Sequence, residues 1–217
     1  MSPGDPPAET ADPSLQHDID ALALPGMSIG YRLISPGDEH ALLDAEAASI
    51  ASSVAAVRRA SGAARIVARR LLAPFGYAGF ALRRGASGEP LWPAGITGSL
   101  AHDDTVAVAA VGRQSDVGAL GIDIEPAVPL PSDMLAQVAT AEELRRIADD
   151  PLQGRLLFAA KEAVYKACYP LDRVFLEFHD IEVDLAGCKA VTKTGRVVAL
   201  RYRISSHILV LAQVRYP

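Results

Sequence analysis

The sequence predicts an α+β fold on antiparallel sheets, and three observations lead there. Helix-like and strand-like segments occur in both halves of the chain. The strand-like segments come in hairpin-like pairs separated by short turns. A steady β-α-β alternation, which a parallel sheet requires, does not occur.

The elements follow in order. Residues 1–26 are rich in Pro, Asp and Ala and read as a poorly ordered tail. Met27 to Ile34 is a short strand ending at the turn Ser35-Pro36-Gly37-Asp38. Asp38 is placed to cap a helix reaching about Val54, because Leu42, Leu43, Ala47 and Ile50 keep helical spacing. A second helix, about Ala60 to Leu72, breaks at Pro74 and Gly76. Phe80 to Pro93 is turn-rich. Ile96–Leu100, Thr105–Val111 and Ala119–Glu125 read as strands, the last closed by Pro126. Thr140-Ala141-Glu142-Glu143 is a capping-box pattern. A helix from about Gln153 to Cys168 stops at Pro170, and four strands follow: 178–184, 189–192, 197–204 and 208–214.

Composition narrows the function classes. Half of the 217 residues are apolar and 22% are charged, as in an ordinary globular protein. A net charge of −5 gives no global attraction to nucleic acid or anionic membrane. No apolar run reaches the ~18 residues that span a bilayer. Asp5, Glu9 and Asp12, with no basic residue near them, are unlike a signal peptide. Cys168 and Cys188 are too few for a disulfide framework and read as reduced thiols of a cytoplasmic protein. Arginine is unevenly spread: Arg58, Arg59, Arg65, Arg69 and Arg70 form a local excess suited to a multiply charged anion, or simply a solvated helix face.

Two short pieces carry chemistry. In Gly121-Ile122-Asp123-Ile124-Glu125 the acids are two apart, so Asp123 and Glu125 share one face of a strand otherwise built for burial. In Lys161-Glu162-Ala163-Val164-Tyr165-Lys166, Glu162 and Lys166 share one helix face. Such i,i+4 pairs are usually solvated, and i,i+2 acids are common on surface strands. Buried acids, however, need partners or a metal. Three carboxylates with no thiolate or imidazole cluster make a hard, oxygen-only site suited to Mg²⁺ or Mn²⁺. A neighbouring lysine suggests a phosphate. His102 follows Gly98-Ser99, whose amides suit a phosphate, although no P-loop motif occurs and a turn histidine is the plainer reading. Ser99 has no nucleophile elbow around it. The residues together read as a metal-dependent enzyme acting on a phosphate ester or anhydride.

In combination, three blocks in order resemble the 4′-phosphopantetheinyl transferases of the surfactin-synthetase and enterobactin-synthetase type. Trp92-Pro93-Ala94-Gly95-Ile96-Thr97-Gly98-Ser99-Leu100-Ala101-His102 is similar to W-P-x-G-x-x-G-S-x-x-H. Residues 121–125 are similar to G-[IV]-D-[IV]-E. Phe158-Ala159-Ala160-Lys161-Glu162-Ala163-Val164-Tyr165-Lys166 is similar to [WF]-[ST]-x-K-E-A-x-[YL]-K, with Ala159 at the Ser/Thr position. Weaker matches around Glu46 and Arg65 extend the resemblance over about residues 27 to 214.

The resemblance implies a pseudodimer of two similar α/β halves, each a helix on a small antiparallel sheet, with the active site in the cleft between them. The halves would be residues 27–118, carrying coenzyme A-binding elements, and 119–217, carrying metal-binding and catalytic elements. One chain would then hold the complete cleft and act as a monomer. The implied reaction moves the phosphopantetheine arm of coenzyme A to a serine of an apo acyl or peptidyl carrier protein, in siderophore or secondary-metabolite biosynthesis, and releases adenosine 3′,5′-bisphosphate. Asp123, Glu125 and Glu162 would hold Mg²⁺. Glu162, or a water on the metal, would take the serine proton. Lys166, with Lys161, would neutralise phosphate charge, and Ser99 and His102 match positions that contact coenzyme A phosphates.

The chain departs from the family pattern in two places. Where R-x-E-F-x-A-G-R is common it has Arg58-Arg59-Ala60-Ser61-Gly62-Ala63-Ala64-Arg65, which leaves Arg58 and Arg65 as anion contacts. It also has Glu89 where a basic residue often precedes Pro-x-Trp-Pro, with Arg83 or Arg84 left to substitute. Two other readings use the same residues: a metal-dependent phosphodiesterase or pyrophosphatase, and a non-catalytic coenzyme A or carrier-protein binding module.

Overall fold

The computed structural model describes residues 12–147 and 150–215. The chain runs α1 (Pro13–Leu22), β1 (Met27–Leu33), α2 (Asp44–Ala47), α3 (Ala55–Leu72), β2 (Ile96–His102), β3 (Val106–Arg113), α4 (Gln114–Val117) and β4 (Ala119–Pro126). It continues through α5 (Ser132–Val138), α6 (Ala141–Arg146), α7 (Gln153–Asp172), β5 (Ile181–Asp184), β6 (Lys189–Thr192), β7 (Val197–Ile204) and β8 (His207–Val214). Both sheets are antiparallel: one has the order β1-β3-β2, the other β4-β8-β7-β6-β5. The expected α+β class holds.

Strand alternation explains the layers. On β3, Val106, Val108 and Ala110 face β4 and β8, meeting Leu120, Ile122, Ile124, Leu209 and Leu211 in one buried cluster. The alternate residues Ala107, Ala109 and Val111 pack toward α3 through Ala63, Ala64, Val67, Ala68 and Leu72. On the second sheet, Ile208, Val210 and Ala212 point the other way, against Leu157, Ala160, Ala163, Val164 and Ala167 of α7. Each long helix therefore covers the outer face of one sheet, and the two sheets face each other.

Three local expectations are corrected. Residues 13–22, assigned above to a poorly ordered tail, form α1; residues 1–11 lie outside the described residues. Asp12 caps α1 by accepting from the amides of Ser14 and Leu15, and Leu15, Ile19 and Leu22 enter the cluster between the sheets. Asp38 does not start a long helix. Its buried carboxylate accepts from Arg32 (Nη2–Oδ1 2.8 Å) and the Ser35 amide, and the segment breaks into short turns around α2. There Glu46 is fully buried, accepting from Arg69, Leu43 N and Leu82 N, which pins the chain across α3. Finally, Pro170 is accommodated inside the last turn of α7. A proline removes one backbone donor, and the helix ends only at Arg173, left-handed at φ 53° with its N–H donating to Tyr169 O.

Outside the cores, Asp103 in the β2–β3 turn meets His207 of β8 (Nε2–Oδ2 3.1 Å), joining the two sheets. The pair carries a pH dependence. His207 is raised above its ordinary 6.5, first by its hydrogen bond with Asp103, with Asp12 adding charge. Burial opposes ionisation of Asp103, but hydrogen bonds from His207 and the amides of Thr105 and Val106 bring it down to about 2. A group with a raised folded pKa stabilises below its unfolded value and loses that contribution as pH rises through the folded value. Asp103 contributes above 3.8 and loses its contribution as pH falls toward about 2. Replacing His207 with Asn is therefore expected to destabilise most between 3.8 and 6.5 and progressively less above. Urea melts of both proteins at about pH 5.5 and about pH 9 check this.

Candidate active site

The site begins with a close approach. Gly121 lies on the same face of β4 as Asp123, and a Cβ there would sit 1.8 Å from the Ala163 carbonyl oxygen. Only a residue without a side chain lets α7 lie this near the strand. The next turn-face residues of α7, Glu162 and Lys166, are thereby set beside the carboxylates. Lys166 donates to Asp123 Oδ1 at 2.6 Å and reaches the Ile122 carbonyl at 3.4 Å.

Asp123 is buried, and its Oδ2 has no hydrogen-bond partner. Burial raises its pKa, with Lys166 opposing. Glu125 is also raised, first by burial and then by the charge of Asp123; Arg155 holds one of its oxygens at 2.9 Å. Glu162 is raised by burial, with Asp123 adding to the shift and Lys166 opposing it. Asp123 thus raises both Glu125 and Glu162, and burial disfavours all three as anions.

Glu162 and Lys166 form one wall of a cleft of about 380 Å³, together with Tyr165 and Tyr169. The opposite wall comes from β2 (Ser99 and His102), α3 (Arg65) and the connection between them (Arg84 and Trp92). Trp92 is placed by Gly98, where a Cβ would lie 2.7 Å from the indole ring. The buried Trp92 Nε1 has no partner. Arg65 is nearly fully buried, donating to the carbonyls of Leu82 and Ser61, and desolvation lowers its pKa. His102 ends β2 at the cleft rim, its pKa lowered first by desolvation and further by the charge of Lys166.

Five of the sequence-derived site residues therefore meet in the cleft: Arg65, Ser99, His102, Glu162 and Lys166. Asp123 stands directly behind Lys166, and Glu125, on the same face of β4, is held by Arg155. Two do not join them. Arg58 donates to the Ser53 carbonyl and is not among the residues lining the cleft. Lys161 lies in the core on the far side of α7, fully buried, donating to Glu143 (2.6 Å), Val138 O (2.8 Å) and Phe178 O (2.9 Å). A helix turns about 100° per residue, so Lys161 cannot share the face of Glu162 and Lys166.

Sequence reasoning missed Arg155 and the aromatic walls. Arg155, Glu162 and Lys166 are spaced i, i+7, i+11, one stripe of a helix, so the signal was present in the spacing. Glu89 is explained by a new partner, Arg173, at 2.5 Å, and of the two neighbouring arginines it is Arg84 that lines the cleft.

Among the described residues no three His, Cys, Asp or Glu side chains stand close enough to form a ready-made metal cage. Asp123 and Glu125 each have one oxygen taken by a basic side chain. The donor chemistry nonetheless fits a hard divalent cation, because Asp123 Oδ2 is a buried oxygen with no partner beside two further carboxyls.

Fold and site together define an α+β protein whose inter-sheet cleft combines carboxylates with lysine and arginine. Residues 45–112 match the 4′-phosphopantetheinyl transferase N-terminal domain, and residues 119–212 match the 4′-phosphopantetheinyl transferase superfamily. The chain is 38% identical over 162 residues to 4′-phosphopantetheinyl transferase Svp of Streptomyces mobaraensis, covering 67% of this chain and 66% of that protein. It is 40% identical over 151 residues to Npt of Nocardia iowensis, covering 68% and 64%. To PptT of Mycobacterium tuberculosis it is 39% identical over 165 residues, covering 72% and 70%. The chain thus spans about two thirds of the length of the curated relatives it matches. It belongs to the 4′-phosphopantetheinyl transferase superfamily. Among the described residues no helix is long and apolar enough to cross a membrane.

Proposed function

We propose that this protein transfers the 4′-phosphopantetheine arm of coenzyme A to a serine of an apo acyl or peptidyl carrier protein, releasing adenosine 3′,5′-bisphosphate. The observation that carries the reading is the cleft itself: Glu162 and Lys166 of α7 face Ser99, His102 and Arg65 across it, with Asp123 buried behind. In this reading residues 27–118 bind the coenzyme and residues 119–217 supply the catalytic groups. Because one chain supplies both walls, a monomer in the cytoplasm would be complete.

Residues Asp123, Glu125 and Glu162 would hold Mg²⁺, and the ion would supply neutralisation of charge on the bridging and equatorial phosphate oxygens. The chain's own groups account for the rest. Arg65, Arg84 and His102 orient the phosphates of coenzyme A along the wall of β2. Lys166 stands where charge grows on the bridging oxygen and stabilises it without reorganising. Glu162, raised by burial, is the acceptor for the serine proton. A bond forms from the serine oxygen to the β-phosphorus, and the bond from that phosphorus to the bridging oxygen breaks. The leaving group takes the electron pair.

Intact-mass spectrometry of an apo carrier protein incubated with this protein, coenzyme A and Mg²⁺ tests the proposal. The expected result is a gain of one phosphopantetheine arm, abolished by EDTA and restored by excess Mg²⁺. No gain on acyl or peptidyl carriers, from protein with a normal thermal melt, would overturn it.

A further inference from the structure

Arg155 has an unusual set of partners for the first turn of a long helix. Its Nη1 donates to Glu125 Oε2 at 2.9 Å, while Nη2 and Nε reach the carbonyls of Pro129 and Val128, each at 3.3 Å. Both partners of the ion pair are well covered, 14% and 18% exposed. The two carbonyl contacts are long, but they are what ties the segment 126–131 to the guanidinium, which Glu125 holds in place.

The opposite side of the acidic face is handled by Lys166, which takes one oxygen of Asp123 and leaves Oδ2 buried and unpartnered. Asp123 and Glu125 thus have a monovalent partner each and one unmet acceptor between them. A divalent cation binding at Asp123 Oδ2 would draw Glu125 into its shell, since hard cations collect several carboxylate oxygens. Its charge would at the same time repel a guanidinium within a few ångströms in a poorly solvated setting. Serving both would set the two cations against each other across a single, well-covered carboxylate.

We propose that Arg155 is the resident counter-cation of Glu125, that a divalent cation entering beside Asp123 takes its place, and that the exchange unpins the segment 126–131. The inference rests on the transferase reading only in that a divalent cation binds beside Asp123. It makes Arg155 a positioning residue that sets metal affinity and couples metal occupancy to the mobility of that segment.

The test is direct Mn²⁺ titration of the full chain by electron paramagnetic resonance, with hydrogen exchange in 126–131 read at the Ala127, Val128 and Leu130 amides, its other residues being proline. Arg155→Gln removes the competitor and is expected to bind Mn²⁺ roughly five- to tenfold more tightly, the range expected for losing a partly buried ion pair. In the wild type, Mn²⁺ should speed exchange in 126–131; in the Gln variant exchange should be fast beforehand and insensitive to Mn²⁺. Should that variant melt early, Arg155→Lys decides: it keeps the charge without the fork that reaches both carbonyls. It is expected to show wild-type Mn²⁺ affinity with faster exchange in 126–131 before metal is added. Equal or weaker Mn²⁺ binding by the Gln variant overturns the proposal, as does a Lys variant that binds as tightly as Gln. Wild-type protein with no saturable Mn²⁺ binding, matching Asp123→Ala, would instead overturn the metal assignment itself.

Discussion

Glu162→Gln is expected to leave the fold unchanged and to slow carrier modification by about a thousandfold, the middle of the range for removing a positioned general base. The side chain faces the cleft rather than a core, and Gln has the same shape, so packing is preserved. On the proposed mechanism what is lost is the ability to accept the serine proton, together with one negative charge beside Asp123. Rates from intact-mass time courses, with thermal melts alongside, separate the effects. Wild-type turnover by this variant would remove Glu162 from the chemistry and leave the cleft without its proposed base.

The second large effect concerns stability. Lys161→Met should cost about 3–5 kcal/mol, because it strands Glu143 in the core with its charge unmatched. The side chains of Lys161 and Glu143 are 0% and 2% exposed, and the lysine joins three separate elements: α6 through Glu143, the end of α5 through Val138 O, and the approach to β5 through Phe178 O. Burial lowers the lysine pKa while Glu143 holds the proton on it. Adding Glu143→Leu should recover part of the loss, by removing the orphaned charge. Recovery stays incomplete because Glu143 also accepts from the amides of Thr140 and Val183, which leucine leaves unpaired. Denaturant melts measure both variants. A Lys161→Met protein with unchanged stability but weakened coenzyme A binding would restore the phosphate role that the sequence resemblance gives this lysine.

The contrast between Lys161 and Lys166 shows what a sequence conveys and what it withholds. Periodicity alone put Asp123 with Glu125 and Glu162 with Lys166, since strand and helix geometry fix which neighbours share a face. The same periodicity separates Lys161 from Lys166, yet the matching motif drew both toward the phosphate. Arg58 failed for a different reason: seven residues before Arg65 it shares that residue's helix face, but it lies about 10 Å nearer the start of α3, where it donates to the Ser53 carbonyl and does not line the cleft. The first helix escaped notice because a segment rich in Pro and Asp looks solvated until three apolar residues, Leu15, Ile19 and Leu22, are seen to enter the cluster between the sheets.

By itself, the chain's pattern of apolar residues determined the α+β class, nearly every strand, and the two pairs of groups that face the site. Those are short-range properties, set by the repeat of the backbone and by turn residues a few positions apart. Only the tertiary structure decided that α7 closes on β4 at Gly121, that Asp123 keeps a buried oxygen unpartnered, that Arg155 holds Glu125, and that Lys161 is a core residue. Each of these joins groups that are 18 to 44 residues apart or rests on burial by distant elements. Desolvation and long-range pairing depend on what the rest of the chain brings near, and local sequence carries no record of it.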